Sequence, residues 1–119
     1  MSKVVPLGAE ILSISEANCH RLKKGLVLVD FYATWCGPCK RLAPVFLRFA
    51  QANSTPSLVF AKVDSDDNQD LVEAFNIEGL PTVLLLQDGN VVSKAAGCDE
   101  TDLANLVDKA VELSKSAVR

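Results

Sequence analysis

The sequence predicts an α/β fold in which one central mixed β-sheet is covered by helices on both faces. Three observations carry this expectation. Leu26 to Ala33 is an apolar run of strand length, continuous rather than alternating, as expected of a strand buried on both sides. Apolar residues recur at helical spacing between strand-like segments, with Leu42, Phe46 and Phe49 as one such stripe. Asp88-Gly89-Asn90 separates two strand-like runs and is a hairpin signal. Helical crossovers imply a parallel part of the sheet, and the hairpin adds an antiparallel part.

The elements follow in order. Met1 to Gly8 is expected to hold a short edge strand. Ser13 or Ser15 can cap a first helix that runs to about Lys24 and ends at Gly25. Leu26 to Ala33 is the buried strand, interrupted by the single carboxylate of Asp30. A helix is expected from Lys40 to Ala52, with Pro44 inside it as a source of a kink. Leu58 to Asp64 reads as the next strand, and a short helix opens at Asp66 to Asn68 and runs to Phe75. Thr82 to Gln87 and Val91 to Ala95 form the hairpin arms. Asp99 can cap a last helix that continues to about Ser114, with Leu103, Leu106, Val107 and Ala110 facing inward.

The bulk properties set limits on function. A chain of 119 residues suits a single domain, 1–119, and an apolar fraction of 49% is ample for its core. The net charge of −3 and the lack of a basic cluster argue against nucleic acid. The longest apolar runs have strand length, which excludes a transmembrane helix, and the N-terminal segment lacks the apolar stretch of a signal peptide. A reducing compartment, the cytoplasm, is the expectation, with an organellar form after transit-peptide removal as the alternative. Four cysteines are present, but a chain of this length does not require a framework of disulfides.

The chemistry concentrates in Trp35-Cys36-Gly37-Pro38-Cys39-Lys40. A Cys-x-x-Cys at a strand-to-helix junction puts the first thiol at a helix N-terminus. Unpaired backbone N–H groups and the helix dipole there favour thiolate over thiol. Thiolate is the form that attacks disulfides, and the second cysteine is close enough to complete the exchange. Cys36 is therefore the candidate nucleophile and Cys39 the resolving thiol. Gly37 lets the turn form without a Cβ clash, and Pro38 stiffens it. A zinc site would need two further ligands, and Cys19, His20 and Cys98 have no zinc-like spacing. A cysteine hydrolase would need a histidine beside its nucleophile, and His20 belongs to a remote segment.

Asp30 lies within an apolar strand, where burial raises a carboxyl pKa toward neutrality and fits it for proton exchange. The alternative is a structural carboxylate satisfied by backbone or by Lys62. Lys62, in turn, reads either as the partner of Asp30 or as a surface lysine. Trp35, the only tryptophan, is more useful at a loop tip as an exposed contact than as core.

Together these residues resemble the thioredoxin family. The resemblance rests on Val29-Asp30-Phe31-Tyr32-Ala33-Thr34 leading into Trp35 to Cys39, on Lys62 in the next strand, on Pro44, on Gly79-Leu80-Pro81-Thr82, and on Gly97 ahead of the last helix. It spans roughly Leu7 to Leu113. It implies the thioredoxin fold and a protein-disulfide reductase that cycles between dithiol and disulfide at Cys36 and Cys39. Asp30 would serve Cys39 through water, with Lys62 in support. Pro81 would follow a cis bond and, with Trp35, Gly37, Pro38, Leu80, Ala96 and Gly97, form an apolar docking face for extended targets. Tyr32 departs from the tryptophan common at its position and is expected to support the motif.

The resemblance also implies no bound prosthetic group and no metal. Reduction would come from an NADPH-linked thioredoxin reductase. The target classes would be peroxiredoxins, methionine sulfoxide reductases and ribonucleotide reductase, and the chain would act as a monomer. A disulfide isomerase or oxidase is the enzymatic alternative, disfavoured by proline rather than histidine at Pro38. A non-catalytic binding subunit is the other. Cys98 reads either as an inert small residue or, being next to Gly97 and so near the docking face, as a modulatory one. Asp99 and Glu100 follow it, and negative charge disfavours a thiolate, which argues against a catalytic role. Cys19 is expected to be inert.

Overall fold

A computed structural model describes residues 11–117. Five strands form one sheet in the order β1-β3-β2-β4-β5. They are β1 (Leu12–Ile14), β2 (Leu26–Tyr32), β3 (Leu58–Asp64), β4 (Thr82–Gln87) and β5 (Asn90–Ala96). β1, β3 and β2 are parallel, and β4 and β5 join antiparallel. The helices are α1 (Gly37–Asn53), α2 (Gln69–Ala74) and α3 (Glu100–Ala117). This is the mixed sheet expected of the sequence. No helix among the described residues is long and apolar enough to cross a membrane.

β2 explains why its sequence does not alternate. Leu26 and Leu28 enter a core with α1 and α3, packed against Leu42, Val45, Phe46, Leu103 and Leu106. Val27, Val29 and Phe31 enter a second core on the opposite face with Leu22, against which Val72 and Phe75 pack. Both sides of the strand are covered, so both sets of side chains are apolar. An aromatic pair anchors a helix on each face. Phe46 of α1 meets Phe60 of β3 with centroids 5.5 Å apart, and Phe75 meets Phe31 of β2 at 6.0 Å. Fully burying such a side chain contributes roughly 1.5–3 kcal/mol.

One element differs from the sequence-based expectation. The helix expected from Ser13 or Ser15 to Lys24 is instead strand β1 followed by a 3₁₀ turn, Cys19–Lys23. The cause is local side-chain bonding. Asn18 Oδ1 accepts the Ser15 N–H at 2.7 Å, and Asn18 Nδ2 donates to the Ser13 carbonyl at 3.0 Å. These bonds close a turn that competes with helical hydrogen bonding. Ser13 is taken by the ladder to β3, where Leu12 to Ile14 pairs with Ala61 to Val63. The strand expected over Met1 to Gly8 lies outside the described residues.

α1 begins at Gly37, earlier than the expected Lys40, and α2 begins at Gln69, just after the expected opening. β3 and β4 occupy the expected spans. Asp88 and Gly89 have φ of 51° and 87°, so the hairpin turn uses two left-handed residues, as tight turns that match strand twist require. Asp99 Oδ1 accepts the N–H groups of Thr101 and Asp102 at 2.8 and 3.2 Å, which caps α3.

Candidate functional site

The site forms where β2 ends and α1 begins, at one end of the central strand. Cys36 occupies the N-cap of α1 with extended backbone, and its Sγ accepts the N–H of Cys39 at 3.2 Å. A sulfur therefore takes the place of the usual oxygen cap. It meets one of the first-turn donors that helices leave unpaired. Pro38 falls in the first turn, where its missing N–H costs nothing. Cys36 and Cys39 are joined by a disulfide with Cα atoms 5.2 Å apart. They are 5% and 3% exposed and pack with Ala33, Tyr32 and Leu80.

Behind Cys39 lies a cavity of about 640 Å³, lined among others by Asp30, Tyr32, Cys39, Lys40, Pro44 and Lys62. Asp30 projects from β2 toward the α1 face and is 4% exposed. Its Oδ1 has no hydrogen-bond partner among the described residues. Burial pushes its carboxyl from 3.8 up to about 7, with Lys62 pulling the other way. The register places Lys62 directly opposite Asp30 across the β2–β3 ladder. The ammonium of Lys62 lies over the ring of Tyr32, 5.8 Å from its centroid. Pro44 lacks an N–H, so the Lys40 carbonyl loses its helical donor at the cavity wall. The cavity is roomy enough for water to connect Asp30 with Cys39.

On the other side of Cys36 is a groove of about 290 Å³. Trp35, Cys36, Ser65, Val72, Ile77, Glu78, Gly79 and Leu80 line it. Trp35 is 69% exposed, as expected for a contact residue, and its Nε1 donates to Asp66 Oδ2 at 2.9 Å. The Leu80–Pro81 bond is cis. The Pro81 carbonyl accepts the N–H of Gly97 at 2.8 Å, and Gly97 has φ +88°, a left-handed backbone that a side chain would resist. Gly37, Ala96 and Gly97 are exposed and Pro38 is half-buried.

The fold thus brings Asp30, Cys39 and Lys62 to one cavity, and Trp35, Cys36 and Leu80 to one groove. It leaves His20 exposed in the 3₁₀ turn, and Cys19 packs against the core on the α2 face. Sequence reasoning missed Asp66, whose contact with Trp35 spans 31 residues, and the groove residues Ser65 and Glu78. In the sequence the charged neighbours of Cys98 are the acidic Asp99 and Glu100. The fold adds Arg41, whose Nη2 is 3.9 Å from the Cys98 sulfur. No local pattern marks these residues, since each is brought in by packing of separate elements.

Comparison with known proteins agrees with this geometry. The family model for thioredoxin matches residues 12–109. A thioredoxin H-type of Oryza sativa subsp. indica is 42% identical over 86 residues, covering 72% of this chain and 69% of its own. A thioredoxin of Coprinus comatus is 37% identical over 101 residues, covering 85% and 95%. Among solved structures, a thioredoxin of Malassezia sympodialis superposes with a TM-score of 0.79 at 29% identity, covering 92% of this chain and 97% of that one.

Proposed function

Since this chain belongs to the thioredoxin family and is a protein-disulfide oxidoreductase, we propose a division of labour among its site residues. Cys36 is the attacking thiol and Cys39 the resolving thiol. The observation that carries this is the capping contact: Cys36 Sγ sits at the N-terminus of α1, where an N–H and the dipole stabilise negative charge, and it borders the open groove. Cys39 faces the inner cavity with Asp30.

The reaction then runs in two exchanges. The Cys36 thiolate attacks one sulfur of a target disulfide. A mixed disulfide forms, and the other target sulfur leaves as thiolate. Asp30 takes the proton of Cys39, through water in the cavity. The Cys39 thiolate attacks Cys36 Sγ, the Cys36–Cys39 disulfide forms, and the second target thiol is released. The target gains two electrons and the pair loses two. A carboxyl that titrates at about 7 can accept and return this proton near neutral pH. Lys62 moderates that proton affinity.

Targets lie as extended segments along the groove lined by Trp35, Gly79 and Leu80. Gly37, Pro38, Pro81, Ala96 and Gly97 are assigned to the same docking face by the family resemblance. The Asp66 bond fixes the Trp35 ring as one wall. Thioredoxins exchange electrons with thioredoxin reductase and disulfide-containing targets. For this chain we infer an NADPH-linked reductase as donor, with peroxiredoxins, methionine sulfoxide reductases and ribonucleotide reductase as acceptors. It works as a monomeric electron carrier in cytoplasmic redox homeostasis.

Limiting alkylation of the reduced protein, followed by peptide mapping, tests the assignment. Label is expected on Cys36 well before Cys39, and preferential labelling of Cys39 would reverse the roles. Cys98 is assigned a modulatory role. Cys98→Ala is expected to reduce a model disulfide at a rate within about 2-fold of the parent, because Cys98 lies beyond the exchanging pair. A larger loss in the coupled assay would place it in the chemistry.

A further inference from the structure

We propose that Tyr32 is a positioning residue: its ring face holds the Lys62 ammonium at the mouth of the inner cavity, and through that cation it sets how readily Asp30 exchanges its proton. The functional consequence rests on the reading of Asp30 as proton acceptor for Cys39.

Side chains at i and i+2 share a face, so Tyr32 stands beside Asp30 on β2. Lys62 is the Cα partner of Asp30 on β3, so its side chain rises on the same face as the carboxylate and the ring. The ammonium is found over the ring, 5.8 Å from the centroid. Among the described residues the one ion pair within 4.0 Å is Arg48 with Glu100, so Lys62 makes no direct salt bridge to Asp30.

That placement matters chemically. A cation in direct contact with a carboxylate lowers its proton affinity strongly, and Asp30 would then stay ionised through the reaction. A cation free in solvent is screened and hardly acts on it. The quadrupole of the ring attracts an ammonium at this separation and fixes it between those extremes. The other groups facing the cavity do not replace it. From α1 these are Cys39, locked in the disulfide, and Lys40; of the two lysines, both exposed, Lys62 is the one whose charge acts on the Asp30 carboxyl. Val83, opposite Asp30 on β4, is apolar. The phenol of Tyr32 is itself held neutral, pushed up by burial and then by Asp64, Asp30 and Asp67, so the ring keeps its character across the neutral range.

The test is a carboxyl-carbon NMR titration of Asp30 in the oxidised protein, where Cys36 and Cys39 carry no titrating proton. Lys62→Met is made in the parent and in the Tyr32→Leu and Tyr32→Phe backgrounds. In the parent, Lys62→Met is expected to raise the Asp30 midpoint by roughly 0.5–1 unit. The same change in the Tyr32→Leu background is expected to raise it by less than half as much. The Tyr32→Phe background, which retains a ring, is expected to show the full rise. Comparing the increments cancels the hydration change that loss of the ring itself brings. An equal or larger increment in the Tyr32→Leu background overturns the proposal, as does a diminished one in the Tyr32→Phe background. Should Tyr32→Leu not fold, the unsubstituted protein still decides. The ε-methylene protons of Lys62 must be shifted upfield by the ring, and random-coil positions overturn the proposal. Turnover of Asp30→Asn separately tests whether Asp30 is the acceptor, so the two readings fail independently.

Discussion

Asp30→Asn is expected to stabilise the folded protein at alkaline pH while slowing its turnover. The sign follows from the carboxyl, which burial holds at about 7 against an ordinary 3.8. The folded state therefore keeps a proton that the unfolded chain has lost. The stability associated with that proton is complete below the unfolded value. It falls as pH rises toward 7, and is lost above it. At pH 8 a buried anion remains whose desolvation Lys62 offsets only in part, at a cost of at most roughly 4 kcal/mol by linkage. Asparagine is nearly isosteric and neutral at every pH. The gain from Asp30→Asn should thus be small near pH 4 and grow to its plateau above pH 7, measured by urea unfolding across that range. A constant gain would mean that Asp30 is not the titrating group. Turnover at neutral pH should drop by roughly 10- to 100-fold, because the amide cannot accept the proton of Cys39. An unchanged rate would reduce Asp30 to a structural residue.

Cys39→Ser should convert the protein into a trap. Attack by Cys36 survives, whereas resolution needs a thiol behind it, so mixed disulfides with targets should accumulate on non-reducing gels. Catalytic turnover should fall by several orders of magnitude, since a serine hydroxyl is not ionised near neutral pH and does not displace sulfur. Cys36→Ser should be equally inactive but should trap nothing. Trapping by Cys36→Ser to the same extent as by Cys39→Ser would reverse the order of attack.

Much of this was legible because short-range chemistry determines it. The Cys36 to Cys39 spacing, the strand before it and the proline in the first turn of the helix lie within a dozen residues. Their consequence, a sulfur at a helix N-cap, is local. The two arms of the hairpin were equally visible, since Asp88-Gly89 supplies the turn conformation from its own residues. Asp30 was conspicuous as a charge in an apolar run, and the β2–β3 register then put Lys62 beside it. The segment after Ser13 was misread for a physical reason. Its helical pattern is weak, and Asn18 offers the backbone a better local partner than a helix does. Asp66 and Arg41 were invisible because their partners, Trp35 and Cys98, are supplied by tertiary packing. The same holds for the Lys62–Tyr32 contact, which depends on neighbouring strands rather than on neighbouring residues.

The central claim is that the Cys36–Cys39 pair carries electrons to protein disulfides. Its most direct test is reduction of a model protein disulfide with NADPH and a thioredoxin reductase, followed as NADPH oxidation. The full chain is expected to sustain many turnovers per molecule, and Cys36→Ser to sustain none above the background of reductase alone. Equal NADPH oxidation by the full chain and by Cys36→Ser would contradict the account.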